Sequence, residues 1–289
     1  MPGLNITRAE AQERAKNLKI DHYDITLDVT TGDELFRTKT VVRFSATPGY
    51  DTFIDAVGKK VITATLNGAP IDTANYDGES IFLKNLQANN EVVIELDSEY
   101  SKTGEGLQRS VDPVDNEVYL YSQGETSFIR NMYPCFDQPD LKATFNFTVT
   151  APGHWEVISN NPVKKSSVTG DKKTWEFTTT PIMSTYITAV IAGPYAHVHD
   201  TYKGEKEIPL GIYCRKSLFE KLDSENIFRL TKQGFDYFQK VFGLAYPFDK
   251  YDQIAVVDFN WGAMENVGAV TWREEMLVFR SKVTKRAYT

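Results

Sequence analysis

The chain has 289 residues, 25% of them charged and 41% hydrophobic, with 18 glycines and 12 prolines. That is the usage of an ordinary globular protein with length for about two domains, and it excludes collagen-like, mucin-like and disordered classes. A net charge of −7 argues against the broad basic footprint that nucleic acids and anionic membranes require.

Thr7-Arg8-Ala9-Glu10 has the spacing of a capping box and predicts a short helix to about Leu18. Charged residues at Arg8, Glu10, Glu13 and Arg14 occupy the place where a secretory signal would be apolar, and the longest apolar run, residues 187–193, is too short to span a bilayer. From Asp21 the period becomes two, with Tyr23, Ile25, Leu27 and Val29 on one face of a half-buried strand. Similar strands are predicted at 39–46, 61–66, 80–83, 91–96, 143–149, 155–159, 173–178 and 185–191, with Asn67-Gly68 as a tight hairpin turn. The segment from Thr73 to Lys84 has Asn75, Asp77 and Gly78 in the manner of a calcium loop. It lacks the first aspartate and the final carboxylate, so calcium is not expected there. A strand pair at 195–202 and 208–215 leads into a helix from Ser224 to Phe242, apolar over about half its circumference and stopped by Gly243. Ile254–Phe259 is nearly continuously apolar and suits a buried strand. The pattern divides into a β-rich domain over residues 1–194 and a second domain over residues 195–289.

Just after that strand stands Trp261-Gly262-Ala263-Met264-Glu265-Asn266-Val267-Gly268. Its core Gly-Ala-Met-Glu-Asn resembles the exopeptidase signature of the aminopeptidase N family of zinc metallopeptidases, and an exact pentamer is a specific match. Tyr246-Pro247, Lys250-Tyr251-Asp252 and Trp272-Arg273-Glu274 are similar to the flanks of that signature. Upstream, Arg130-Asn131-Met132-Tyr133-Pro134-Cys135-Phe136-Asp137-Gln138-Pro139 resembles the family's Arg-x-x-Phe-Pro-Cys-Phe-Asp-x-Pro stretch, with Tyr133 for the usual Phe. The resemblance implies a mainly β fold with some α: a saddle-like β-sandwich or barrel, followed by the β-rich beginning of a thermolysin-like catalytic domain.

An aminopeptidase needs fixed negative charge for a free α-ammonium and exposed strand backbone for an extended peptide. The resemblance implies that Glu265 binds the α-amine and that Glu125, in Ser122-Gln123-Gly124-Glu125, is the second carboxylate. It places Gln123 and Trp261 on the first side-chain pocket. Gly262 and Ala263 present backbone to the substrate, and Met264 and Asn266 complete the binding segment. For Glu125 a solvated loop residue is the competing reading, and for Trp261 a core or interface tryptophan.

In the family the chemistry belongs to zinc, held by H-E-x-x-H and a distant glutamate. The four histidines here are His22, His154, His197 and His199, and no two are four apart. The resemblance places the zinc helix shortly downstream of Thr289, so zinc is expected in the full-length enzyme and none on this chain, which is expected to be inactive alone. His197 and His199 share one face of a strand and are read as a solvated pair. Cys135 and Cys214 show no C-x-x-C spacing, which suits a reducing compartment, and Cys135 is read as a packing residue. The expected partners are a peptide N-terminus and the missing catalytic and helical domains, with neither nucleic acid nor membrane, in the cytoplasm. The half-apolar helix predicts self-association of a shortened chain or rapid proteolysis after about residue 200. The alternative function is a non-catalytic β-rich module that binds protein or peptide.

Overall fold

The computed structural model describes residues 5–74 and 76–280; Asn75 of the rejected calcium loop and the segment up to Thr289 lie outside the described residues. The chain begins with α1 (Arg8–Asn17), β1 (Leu18–Asp28), β2 (Leu35–Ala46), β3 (Thr52–Asp55), β4 (Lys60–Leu66), β5 (Ala69–Pro70), β6 (Ser80–Leu83) and β7 (Asn89–Glu99). It continues through β8 (Gly106–Val111), β9 (Val118–Gln123), β10 (Thr144–Pro152), β11 (Glu156–Ser159), β12 (Val163–Thr169), β13 (Lys172–Phe177) and β14 (Val190–Gly193). Then come β15 (Ala196–Lys203), β16 (Glu207–Cys214), α2 (Ser224–Phe242), β17 (Tyr251–Val256), β18 (Ala263–Met264), β19 (Ala269–Arg273) and α3 (Glu274–Leu277). Two compact units result: Met1–Gln108 with Ser122–Gly153 and Val163–Thr188, and Arg109–Tyr121 with His154–Pro162 and Ala189–Thr289. Segments 109–121 and 154–162, within the 1–194 span of the sequence reading, thus pack with the second unit. The fold is mainly β, and its sheets are open rather than closed into a barrel.

In the first unit an open sheet runs in the order β12-β13-β10-β1-β2-β7-β4-β5. The alternation seen in the sequence is its inward face: Tyr23, Ile25 and Leu27 of β1 are at most 1% exposed, and Tyr23 stacks on Phe145 of the parallel neighbour β10 at 5.0 Å. The capping box forms as expected, with the Thr7 hydroxyl accepting the Glu10 amide and the Glu10 carboxylate accepting the Thr7 amide. Asn67 and Gly68 take the positive φ values of the β4–β5 hairpin. Strand β12 is exposed at all seven positions, so it carries no burial period and the sequence shows no strand there.

In the second unit β11, β14 and β9 pair in that order, and a five-stranded sheet has the order β15-β16-β17-β19-β18. The strand expected at 185–191 is instead a 3-10 turn at Thr185–Ile187 followed by β14. Its β-branched residues suit a strand, but the Thr188 amide and hydroxyl both donate to the Thr185 carbonyl and close a local turn. The apolar strand expected at 254–259 is β17, Tyr251–Val256, which stops short of Phe259 because residues 257 and 258 turn and Asp258 adopts φ 54°. β17 lies between two parallel neighbours, β16 and β19, which explains its lack of alternation.

Two features organise this unit. Arg215, directly after β16, donates to both carboxylate oxygens of Glu274 at 2.7 and 2.8 Å and pairs with Asp112 at 2.8 Å, all three side chains being buried. Helix α2 matches its predicted bounds and ends on Gly243 at φ 61°, yet of its residues only Phe228 is buried. Leu230, Phe238 and Phe242 are more than half exposed and line an apolar groove of about 650 Å³ with Leu244, Tyr246 and Met276.

Arg215→Ala would strand two buried carboxylates, and a loss of about 3–5 kcal/mol is expected in urea unfolding. A pH response follows as well. Burial by itself would raise the Asp112 carboxyl, but the Ser217 hydroxyl, the Val114 amide and Arg215 outweigh it and hold the group below the usual carboxylate range. Its stabilisation is therefore complete above the unfolded value of about 4 and is lost as the pH falls through the lower folded value. The urea midpoint of the wild type is expected to decline below about pH 4, and Asp112→Asn to flatten that decline.

Candidate functional site

The signature segment is the outer corner of the five-stranded sheet. After β17 the chain turns through Asp258 and buried Phe259 to Trp261, 49% exposed, and then forms the terminal strand β18. β18 pairs antiparallel with β19 alone, Ala263 opposite Trp272 and Met264 opposite Thr271. Along it Ala263 is exposed, Met264 buried and Glu265 exposed, the alternation of a strand with one face in the core. The carboxylate of Glu265 therefore stands in solvent on the same side as Ala263, at the end of a sheet-edge strand. Asn266 is buried at 1%, donates to the Thr271 hydroxyl at 3.4 Å and accepts the Ala269 amide at 3.1 Å. It closes the turn rather than facing outward.

Groups from three parts of the second unit hold this turn. Gly268 has φ 69°, and a Cβ there would lie 2.2 Å from the Asn160 carbonyl oxygen, so only glycine fits. The Asn160 side chain donates to the Val267 carbonyl at 2.8 Å and accepts the Ala189 amide at 2.8 Å. The Lys250 ammonium, buried, donates to the Gly268 carbonyl and to Asp252, both at 2.6 Å. Burial lowers the Lys250 pKa and Asp252 opposes that shift. Arg273 donates to the carbonyls of Phe259 and Asn260. Lys250 and Arg273 were visible in the sequence as flanks of the signature but without a role; Asn160, about a hundred residues upstream, carries no local signal at all.

Gln123 and Glu125 belong to the first unit. Gln123 is the last residue of β9 and 1% exposed; Glu125 is exposed. Between them Gly124 meets the Tyr186 carbonyl, 2.7 Å from the position of a Cβ, and its own carbonyl accepts the Phe128 amide at 3.0 Å. Downstream, Arg130 pairs with Asp55 at 2.9 Å and Asp137 at 3.4 Å, while Thr185 donates to Asp137 at 2.9 Å. Burial raises the Asp137 carboxyl to about 6 against the pull of Arg130. Arg130 and Asp137 are thus a buried polar pair among the core side chains of Met132, Tyr133 and Phe136, and burial pushes the Cys135 thiol well up, which leaves it unsuited to nucleophilic work.

A zinc site is not formed by the described residues, among which no group of three or more His, Cys, Asp or Glu side chains is placed to hold a metal ion. His22 bonds Thr144 and Asp24, and His154 bonds Glu117. His197 and His199 lie side by side on β15 with ring centroids 4.7 Å apart, both exposed, His199 bonded to the Tyr213 hydroxyl at 3.0 Å. The donor set does not fit a catalytic zinc. No helix among the described residues is long and apolar enough to cross a membrane.

The pentamer thus lies at the edge of a sheet with a parallel core, its carboxylate exposed just past the edge strand. Residues 19–187 match the peptidase M1 N-terminal domain and residues 227–289 the peptidase family M1 domain. The chain belongs to the M1 peptidase family. It is 50% identical to aminopeptidase N of Streptomyces lividans over 294 residues, which cover 100% of this chain and 34% of that protein. It is 35% identical to aminopeptidase N of Rattus norvegicus over 196 residues, covering 64% of this chain and 20% of the relative. Identity to leucyl aminopeptidase of Saccharolobus solfataricus is 30% over 266 residues, covering 90% and 32%. The chain spans about a third or less of the length of these curated relatives.

Gly268→Ala combines a positive φ with a clash against fixed backbone, and it is expected to destabilise by about 2 kcal/mol or more. Gly243→Ala, also at positive φ but with nothing within 4 Å of the added carbon, should cost only about 1 kcal/mol; thermal denaturation of the two variants measures the difference.

Proposed function

We propose that this chain is the N-terminal portion of a longer zinc aminopeptidase of the aminopeptidase N type, in which it recognises the free α-amine of a peptide and forms part of the first side-chain pocket. The observation that carries this reading is Glu265, an exposed carboxylate one residue past the edge strand β18. A peptide extended along that edge would add to the sheet by backbone hydrogen bonds and meet the carboxylate at its amino end. Glu125 is the proposed second carboxylate, supported by its exposure in a loop whose conformation Gly124 secures. Trp261 and Gln123 are proposed walls of the pocket; the half-exposed indole supports that role over a core position. Gly262 and Ala263 offer backbone without bulk.

Zinc, its H-E-x-x-H ligands and the general base belong, on this reading, to parts of the longer protein outside these residues. Two buried free thiols support a reducing, cytoplasmic setting. The exposed apolar face of α2 supports self-association of the chain when it is prepared alone.

One ammonium–carboxylate pair at ~4 Å and an effective dielectric of ~20 gains about 4 kcal/mol before desolvation. In the longer enzyme Glu265→Gln is therefore expected to lower kcat/KM for an alanyl anilide by about a hundredfold or more. The chain of 289 residues by itself, with added zinc, is expected to give no turnover of that substrate. Turnover by the isolated chain, or an unchanged kcat/KM in the Glu265→Gln enzyme, refutes the proposal. Light scattering on the isolated chain is expected to show dimers or larger species that Phe238→Glu disperses.

A further inference from the structure

Trp261 stands in a short loop whose neighbouring backbone is unusually tied down. The Tyr121 hydroxyl donates to the Asp258 carbonyl at 3.0 Å. Arg273 serves the next carbonyls: its Nε donates to Phe259 at 3.1 Å, its Nη2 to Asn260 at 2.6 Å, and its backbone N–H to Gly262 at 2.9 Å. One residue thus spans Trp261, with two side-chain bonds before it and one backbone bond after it. On the far side of Gly262, a Cβ would come within 3.3 Å of Met276 Sδ, so the loop also rests on that side chain. Amid these contacts the indole is 49% exposed.

The position of Arg273 is itself fixed. It pairs in parallel with Val256 of β17 at the end of β19. Its neighbour Glu274 is held by the buried Arg215, and Arg280 also donates to it. Among the described residues Arg273 forms no ion pair; its guanidinium is spent on carbonyl oxygens. A planar fork meeting two successive carbonyls is a geometry that a lysine ammonium cannot reproduce.

We infer that Arg273 is a positioning residue for side-chain selection: by clamping the carbonyls of Phe259, Asn260 and Gly262 it fixes the direction of the Trp261 indole, and through it the shape of the first side-chain pocket. The selection half of this inference rests on the reading of Trp261 as a pocket wall; the clamp does not. A pocket wall on a loop discriminates only when the loop is held, since a wall that yields accepts large and small side chains alike. Arg273 holds it without touching the substrate.

The test uses Trp261 as its own reporter. In the 289-residue chain, acrylamide quenching assigned to Trp261 by difference from Trp261→Phe is expected to rise about twofold in Arg273→Gln, while the buried Trp155 and Trp175 stay unquenched. Arg273→Lys keeps the charge but loses the fork, so it is expected to resemble the Gln variant. Unchanged quenching in Arg273→Gln, or full restoration by lysine, overturns the clamp. Should Arg273→Gln also expose Trp155 and Trp175, Arg273→Lys alone decides, on the same two outcomes. In the longer enzyme Arg273→Gln is expected to shift the ratio of kcat/KM for phenylalanyl over alanyl anilides by about tenfold, whereas Glu265→Gln lowers both alike. A released Trp261 with an unmoved ratio refutes the pocket reading and leaves the clamp standing.

Discussion

The second unit depends on one buried cation. Arg215 leaves β16 and meets Glu274 at the junction of β19 and α3, and Asp112 in a segment about a hundred residues earlier. Coulomb attraction in a poorly solvated interior is strong, but it offsets the cost of desolvation only when the partners arrive in the right geometry. Arg215 meets that condition with a two-point contact to Glu274, which raises its own pKa through those bonds against burial. The ends of β16 and β19 and the 112 turn are thereby set with respect to one another within the unit.

From that anchor the order passes to the signature segment at the sheet's edge. Glu274 is adjacent to Arg273, Arg273 holds the backbone on both sides of Trp261, and β18 follows at once. At the other end of the signature, Lys250 and Asn160 take the carbonyls of Gly268 and Val267. The residues that face solvent, Trp261, Ala263 and Glu265, are thus carried on a segment whose backbone groups are satisfied by buried partners. Such an arrangement suits recognition, because a charge presented on a fixed frame loses little freedom when its ligand arrives.

The apolar face of α2 shows the opposite state. Phe228 packs into the core with Ile212 and Ala255, whereas Leu230, Tyr237, Phe238, Val241 and Phe242 form a large exposed apolar surface. Leaving so much apolar surface in water forgoes the stabilisation that burying it would give.

Much of this was legible in the amino-acid sequence, wherever the physics is local. The capping box at Thr7, the alternating face of β1, the Asn67-Gly68 turn and the bounds of α2 follow from hydrogen bonds and burial periods that span a few residues, and the pentamer at 262–266 points to a candidate site through its residue types alone. The tertiary structure decided what depends on distant partners. β12 formed without a burial period at an exposed sheet edge, by pairing with β13; and segments 109–121 and 154–162 joined the second unit through pairings such as Tyr121 with Ile191 and Val157 with Ala192. Asn160, Lys250, Arg215 and Arg273 acquire their roles only when the chain brings the carbonyls and carboxylates they serve within about 3 Å. Residue type and short-range period thus determined where the candidate segment lies and which of its side chains alternate outward, while long-range contact decided what holds them, because hydrogen bonds and ion pairs act on distance in space and leave no period along the chain.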